Sequence, residues 1–151
     1  MEQQPINVQF GLRGVNEVNY IYRPEKLEDN IDPQLLQISF MNNIRGLEVE
    51  KNFISIVFGA RFSYKNENIL ECVYGFDFNV KDLSKFVQYG EKNNVTINVI
   101  MPYLLDVAVG TLRGLILAKT YGTPLYKFPL PVINIEQMIK GMRKNGEQVA
   151  N

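Results

Sequence analysis

Ile54-Ser-Ile-Val-Phe-Gly-Ala-Arg-Phe-Ser-Tyr64 and Leu70-Glu-Cys-Val-Tyr-Gly-Phe-Asp-Phe-Asn-Val80 are the two stretches that decide the fold. In both, apolar or aromatic residues recur at every second position, which is the pattern of a β-strand with one face on a core. The short polar connection 65–68 between them is typical of a hairpin. Because Glu71 and Asp77 lie on the opposite face of the second stretch, the sequence predicts a sheet with one apolar and one polar side.

Two earlier segments are expected to extend this sheet. Apolar residues alternate there in the same way: Ile6, Val8, Phe10 and Leu12, and then Leu36, Ile38 and Phe40. The segment 18–23 either continues the first strand or forms another strand after a break at 14–16. We therefore expect an antiparallel meander of about four strands within residues 1–80.

A long helix is predicted over residues 98–121, where the apolar pattern acquires helical periodicity. Asn98 is suited to the N-cap, and Pro102 is tolerated because it falls in the first turn. Gly122 is a natural stop, since helices often end at a glycine.

The segments on either side of this helix are expected to be shorter and more irregular. Residues 81–97 read as a connection in which Asp82 caps a short helical turn that ends at Gly90. Residues 122–133 read as an extended loop spaced by prolines, after which Asn134 caps a second helix over 134–145. The whole chain, 1–151, is thus predicted to be one α+β domain: a four-stranded antiparallel sheet, a long helix and a short C-terminal helix.

Composition argues against several classes of function. Sixteen basic residues balance sixteen acidic ones, so the positive surface that nucleic acids require is not expected. Histidine is absent, which removes the usual general base and the commonest zinc ligand. The single cysteine, Cys72, alternates with apolar residues and reads as inert core. We expect no enzyme activity, no catalytic residues, no metal site and no cofactor.

The expected location is the cytoplasm. The first residues, Met1 to Pro5, have neither the basic start nor the apolar stretch of a signal peptide. The most apolar stretch, Val99–Ala118, contains Asp106 and Arg113, and both would be costly in a bilayer. The sequence therefore predicts no membrane span.

One stripe of the long helix suggests self-assembly. At spacings of three and four it carries a set of small, charged and apolar residues: Asp106, Gly110, Arg113, Gly114, Leu117 and Ala118. Each glycine costs about 1 kcal/mol relative to alanine inside a helix, so two on one face suggest the close approach of another backbone. Our hypothesis is that two copies cross antiparallel about a two-fold axis near Gly110, with Asp106 close to Arg113 of the other copy. Alternatively, the glycines admit a segment of the same chain.

Three segments resemble a known family. Asn98-Val-Ile-Met-Pro-Tyr103 resembles the Asn-apolar-apolar-apolar-Pro-Tyr that opens the long helix of the SecB protein-export chaperones and their SecB-like relatives. Gly122-Thr-Pro124 and Leu130-Pro-Val-Ile-Asn-Ile135 resemble the segments before that family's second helix, and Leu70–Val80 resembles its last strand. The order of elements agrees along most of the chain, whereas recognisable residues are confined to the C-terminal third.

The resemblance implies a chaperone that binds unfolded or non-native polypeptides in apolar grooves. It also implies a homotetramer, built as a dimer of dimers with long helices between the sheets. The family's best-known members are strongly acidic and offer acidic residues on the outer sheet face to an export motor. Here a docking face of that kind would comprise Glu17, Glu71 and Asp77, but the chain is neutral and Ile21 stands where another acid is expected.

The alternative function is a non-enzymatic adaptor of the same fold with one dedicated protein partner, such as a chaperone linked to a toxin–antitoxin pair. For the chaperone, the predicted client-binding residues lie along the proline-spaced loop and the helix after it: Tyr121, Tyr126, Phe128, Leu130, Met138 and Met142. Methionine and aromatic side chains suit contacts with many different sequences. Taken alone, each of these residues more often belongs to an ordinary core.

Overall fold

The computed structural model describes residues 7–91, 95–97 and 99–139. Its central element is an antiparallel sheet of four long strands: β1 (Phe10–Tyr22), β2 (Leu36–Glu48), β3 (Phe53–Tyr64) and β4 (Glu67–Val80). One face of β3 and β4 is fully buried, and its side chains alternate as the sequence predicts. The core lies between this face and a long helix.

The hairpin between β3 and β4 is confirmed. Tyr64 pairs with Glu67 across a two-residue turn, and Lys65 and Asn66 have φ values of 52° and 66°. Positive φ at both central residues is the feature of the turns whose twist matches that of the flanking strands.

The four-stranded antiparallel sheet is confirmed, but its strand order differs from a simple meander. The order is β1-β4-β3-β2, so β2, β3 and β4 are consecutive neighbours while β1 crosses to the far side and pairs with β4. The connection 23–35 makes this crossing. Leu27 and Ile31 of this connection pack against the core. The connection is therefore a partly buried segment of the subunit and not a tight turn.

The first strand runs unbroken from Phe10 to Tyr22, which settles the alternative at residues 14–16. Two irregularities of register occur instead of a break, one between Leu12 and Gly14 and one between Glu17 and Asn19. Each such bulge moves the following side chains to the other face of the sheet. Glu17 consequently pairs with Tyr74 on the helix side, whereas strict alternation places it on the outer side.

The long helix, α1, spans Met101–Thr120. It begins slightly later than predicted, with Ile100 at the N-cap, and Asn98 lies outside the described residues. Gly122, with φ of 80°, follows its end as predicted. Length and hydropathy alone would also suit a membrane-crossing helix, but one side of α1 is buried in the core of its own chain.

Residues 81–97 contain more structure than the sequence indicates. Asp82 precedes a short 3-10 turn, Leu83–Phe86, but its side chain makes no capping hydrogen bond there. Instead the carboxylate lies 3.7 Å from the Lys85 ammonium, and the backbone at Asp82 is left-handed, with φ of 55°. A two-stranded hairpin follows, formed by β5 (Gln88–Tyr89) and β6 (Val95–Thr96).

The C-terminal part of the described chain begins with a 3-10 turn, Pro124–Lys127, and then runs extended to a second helix, α2. The described part of α2 is 135–139. Asn134 caps it as predicted, since its side-chain Oδ1 accepts a hydrogen bond of 3.0 Å from the Gln137 backbone N–H. The α+β architecture with a long and a short helix is therefore confirmed.

Candidate binding surface

The exposed side of α1 carries both helical glycines. Gly110 and Gly114 are exposed, and a Cβ atom built on either would meet no described atom within 4 Å. The alternative that these glycines admit a segment of the same chain is therefore wrong for the described residues. Both glycines lower the stability of the helix, and no contact within the described part of the subunit offsets this loss.

These glycines belong to a regular stripe, which we call the helix face: Tyr103, Val107, Gly110, Gly114, Leu117 and Tyr121. Its spacing alternates four and three, which is the repeat of positions that meet a partner helix in coiled coils. The tyrosines at its two ends are 46% and 76% exposed. Three members of the predicted assembly stripe thus share this face, while Asp106, Arg113 and Ala118 border it.

Arg113 has a role that the sequence did not indicate. Its Nε donates to the Leu130 carbonyl oxygen at 3.0 Å, and one terminal nitrogen donates to the Pro131 carbonyl oxygen at 2.9 Å. The side chain therefore ties the extended C-terminal segment to α1 within one subunit. The predicted contact with Asp106 of another copy would compete with these two bonds, whereas the Asp106 side chain is exposed.

Strand β1 also contacts α1, near both ends of the helix. Contacts at three levels join β1 to α1 and its C-terminal end: the Phe10 and Tyr103 rings lie 6.3 Å apart, Lys119 lies 3.4 Å from Glu17, and the Tyr22 and Thr123 hydroxyls are hydrogen-bonded. Between these contacts, Leu12 and Val15 of β1 face the helix side of the sheet and remain exposed. Strand β1 therefore adds two exposed apolar side chains to the side of the sheet on which α1 lies.

A polar cluster lies where the C-terminal part of α1 meets β1 and β4. The Lys119 Nζ lies 3.9 Å from the centre of the Tyr20 ring, and the Tyr74 hydroxyl donates to the Glu17 carboxylate at 3.3 Å. Burial lowers the pKa of Lys119, but the hydrogen bonds and charges of Tyr74 and Glu17 outweigh it and raise the pKa. Lys119 is consequently held in its charged form and is unsuited to act as a base or nucleophile.

Cys72 lies beside this cluster on the buried face of β4. Its side chain is fully buried, and that burial raises the pKa of the thiol from 9.0 to about 11. The neutral form is thus stabilised, which is the opposite of what a reactive cysteine requires. Among residues 7–91, 95–97 and 99–139, no group of three or more His, Cys, Asp or Glu side chains is placed to hold a metal ion.

The predicted client-binding residues are divided by the structure. Tyr121 and Tyr126 are both exposed, and their rings meet edge to face at 5.4 Å. Leu130 is only 3% exposed and belongs to the core, so it is not available to a client. Phe128 and Met138 are half-buried against that core, and Met142 lies outside the described residues.

Sequence reasoning missed Val132, which is 96% exposed directly after the two carbonyl groups that Arg113 holds. Its neighbours in sequence are apolar, so nothing in the pattern distinguishes it from core residues. The Arg113 contact holds the backbone of this segment so that Leu130 points inward and Val132 outward.

The proposed acidic docking face does not exist as one surface. Glu71 and Asp77 lie on the outer side of the sheet, but Glu17 lies on the helix side because of the first bulge in β1, between Leu12 and Gly14. Glu71 is bonded to Arg61 at 2.9 Å, and Asp77 to Arg45 at 3.1 Å. Both outer carboxylates are therefore neutralised by arginines of their own sheet.

Gly75 makes the second of these pairs possible. A Cβ at Gly75 would lie 2.2 Å from an Arg45 guanidinium nitrogen, so the glycine lets the arginine lie flat across β4. Ser55 joins the same network by donating to the Asp77 carboxylate at 2.6 Å. Such a satisfied network stabilises the outer face of the sheet and offers no excess negative charge to a partner.

The chain matches no model of a known protein family and no curated protein. Among solved structures, it is similar to the crystal structure of a protein of unknown function from Streptococcus agalactiae. The two are 12% identical, with 85% of this chain and 99% of that chain covered and a TM-score of 0.34.

Proposed function

We propose that the protein is an oligomeric, SecB-like molecular chaperone that binds unfolded or non-native polypeptides and carries out no reaction of its own. The observation that carries this proposal is exposed apolar surface: the helix face supports assembly, and Tyr121, Tyr126 and Val132 support client binding. Contiguous apolar surface of this kind marks sites of protein association. A chaperone needs such surface and no reaction centre.

Assembly is supported by the symmetry of the helix face. The stripe reads the same in both directions about the level of Leu112: Tyr103 and Tyr121 are equally distant from it, as are Val107 and Leu117, and Gly110 and Gly114. In an antiparallel pair of helices crossing at that level, Val107, Gly110, Gly114 and Leu117 meet their counterparts in the other copy, whereas the tyrosines at the two ends lie farthest from the crossing. Self-complementarity is what a two-fold interface requires, and glycines at the crossing let the backbones approach closely.

This crossing lies two residues from the one near Gly110 that the sequence pattern predicts. It needs no contact between Asp106 and Arg113, so Arg113 keeps its bonds to the C-terminal segment. The helix face thus serves assembly, and a separate surface is needed for clients.

The client surface that we propose is the exposed pair Tyr121 and Tyr126 with Val132. Tyrosine combines an apolar ring with a polar hydroxyl and suits contacts with diverse sequences. Tyr121 also ends the helix face, so the client surface adjoins the assembled helices. Leu130 does not belong to this surface because it is buried.

Sedimentation of the wild-type chain and of Gly110→Leu tests the assembly. We expect the wild type to be a multiple of the 17.4 kDa chain, and Gly110→Leu to have a smaller mass because the larger side chain holds the helices apart. Gly11→Leu is the matched control, since Gly11 on β1 is equally open but lies outside the helix face. An unchanged mass for Gly110→Leu would contradict this interface.

Suppression of aggregation of a chemically denatured client tests the function. We expect the wild type to suppress it and the double variant Tyr121→Ser/Tyr126→Ser to lose most of that effect. Tyr89→Ser is the control, because Tyr89 is exposed in the separate β5–β6 hairpin. No suppression by wild type at molar excess would refute the chaperone, and capture of one stoichiometric protein in a pull-down would favour the adaptor.

A further inference from the structure

An apolar groove of about 590 Å³, which we call the end groove, opens at one end of the sheet. Two segments line it. The connection between β2 and β3 contributes Leu47 and Val49, and the β5–β6 hairpin contributes Tyr89 and Val95. The Tyr89 side chain is 69% exposed and Val95 is 36% exposed, so the described residues leave much of this apolar lining open to solvent.

Three charged residues, Glu48, Glu50 and Lys51, complete the lining of the end groove. The Lys51 ammonium lies 3.6 Å from the Glu48 carboxylate, so these two charges offset each other. Glu50 is exposed, and within the part of the chain that the structure describes it has no hydrogen-bond or ion-pair partner. The end groove is therefore complementary to an apolar segment that carries positive charge.

The end groove lies at the end of the sheet where α1 begins. The Phe10 ring is 6.3 Å from the ring of Tyr103, in the first turn of α1, and Phe10 pairs with Val80. The Val80 N–H donates to the carbonyl oxygen of Asn52 at 2.8 Å. Asn52 directly follows the part of the β2–β3 connection that lines the groove.

The C-terminal part of the chain runs toward this same end. After α1 ends at Thr120 the chain turns back, and Arg113 binds the carbonyl oxygens of Leu130 and Pro131 about two helical turns before that end. The segment after α1 therefore runs antiparallel to the helix, toward the N-terminal end of α1. The described chain stops at Ile139, which packs against the core.

The segment that follows, 140–151, has the composition that the end groove requires. It contains Met142 and three basic residues, Lys140, Arg143 and Lys144, against one acidic residue, Glu147. Its reach is sufficient, because an extended residue spans at most about 3.5 Å and the segment therefore at most about 40 Å. A folded chain of this length has a radius of gyration of only about 15 Å.

We propose that the segment 140–151 binds in the end groove of its own subunit, with Met142 on the apolar lining and Arg143 and Lys144 near Glu50. The unbranched methionine side chain adapts to irregular apolar surfaces. Because the segment is tethered to the subunit, its effective concentration is on the order of millimolar. A weak contact is therefore enough to keep the groove occupied.

This inference concerns a different surface from the proposed client surface. Tyr121 follows the C-terminal end of α1, whereas the end groove lies near the N-terminal end. Occupation of the groove would shield Tyr89 and Val95 from solvent. It would also make Met142 unavailable to a client.

A tryptophan at position 89 tests the occupancy, because the chain has no tryptophan of its own. In Tyr89→Trp we expect the segment to shield the indole from acrylamide. Adding Arg143→Glu/Lys144→Glu should lower the occupancy constant about three- to tenfold, the effect of losing one or two partly exposed ion pairs, and so increase quenching. Arg13→Glu/Lys127→Glu is the matched control, since it changes the net charge equally at exposed residues outside the groove, and it should leave quenching unchanged.

Charge exchange tests the partner of the basic residues. In the Tyr89→Trp background, Glu50→Lys alone should increase quenching, and combining it with Arg143→Glu/Lys144→Glu should restore the shielding. High salt should also increase quenching of Tyr89→Trp, because exposed ion pairs are screened.

Disulfide trapping shows whether the segment belongs to the same copy. On oxidation, Glu50→Cys/Lys144→Cys should form a disulfide within one chain, which keeps the mass of a single chain on a denaturing gel. Glu50→Cys/Lys127→Cys is the control and should form few. Cys72 is fully buried and should not compete. Circular dichroism of every variant establishes that it is folded before the results are compared.

Equal quenching with and without the Arg143→Glu/Lys144→Glu change would overturn this inference, as would failure of the charge exchange to restore shielding. A disulfide that joins two chains would overturn binding within one subunit. Shielding of the indole that appears only when a denatured client is added would also overturn it, because the client would then occupy the groove. The other measurements contain no client, so failure of the wild type to suppress aggregation refutes the chaperone alone.

Discussion

The two sides of α1 are built from similar residues in different surroundings. On one side, Leu105, Leu112 and Ile116 are at most 1% exposed and pack against the sheet. On the other side, Gly110, Gly114 and Leu117 face away from the core, and Leu117 has no place in the core cluster. The first side stabilises the subunit, whereas the second lowers the stability of the isolated helix and is the side that we propose for assembly.

The largest difference between the two sides should appear on truncation of leucine. We expect Leu112→Ala to lower the free energy of unfolding by about 2–5 kcal/mol, since it leaves a cavity in the core. Leu117→Ala is the matched control on the exposed side and should cost about 1 kcal/mol or less. Denaturant unfolding of both variants measures this, and equal costs would show that the two sides are not distinct.

The core beneath the buried side of α1 should also make stability depend on pH in the alkaline range, through Cys72 of β4. Its folded-state pKa is about 11 against 9.0 for an exposed thiol, so the stabilisation is complete below pH 9 and is lost as pH rises toward 11. In that window the unfolded thiol ionises while the folded one does not, which lowers stability by up to about 1.4 kcal/mol per pH unit.

Unfolding of wild type and Cys72→Ala at pH 8, 9 and 10 measures this contribution. The difference between the two proteins should shrink as the pH rises. A thiol reagent should react with the native protein slowly at pH 8 and with the denatured protein at once, and rapid native reaction would contradict the burial.

The smallest effect is expected at the contact that joins β1 to α1. Lys119→Met removes an ion pair and a cation–π contact while keeping the side chain's apolar length. Because both partners of the ion pair are partly exposed, the cost should be about 1 kcal/mol or less. Thermal unfolding measures it, with Lys127→Met as the control. A cost as large as that of Leu112→Ala would contradict this prediction, because the Lys119 contact would then stabilise the fold as much as a buried leucine.

The fold is predictable where burial imposes a simple period. Alternation of apolar residues in β3 and β4 identifies both strands and their hairpin, because each strand has one face in the core. The helix and its stop at Gly122 follow from helical periodicity and from the need for positive φ. Strand order is not predictable, since pairing of β1 with β4 rather than β2 leaves the pattern within each strand unchanged.

The candidate surface is predictable in part. Spacing of three and four is enough to place Gly110, Gly114 and Leu117 on one stripe. The same spacing assigns Arg113 to a neighbouring copy, because it does not reveal that a segment 17 residues later returns to accept the arginine's hydrogen bonds. The resemblance assigns Glu17 to the outer face with Glu71 and Asp77, which is wrong because a bulge in β1 reverses the alternation without any distinctive residue.

The sequence by itself determined the elements, their amphipathic faces and the lack of histidine-based chemistry, since these depend on local period and composition. Only the tertiary structure decided which side of α1 is open, which carboxylates are neutralised and where β1 bulges. These properties depend on distances between segments far apart in the chain, such as Arg45 and Asp77 at 3.1 Å. They arise from packing, which brings together residues that are far apart in the sequence.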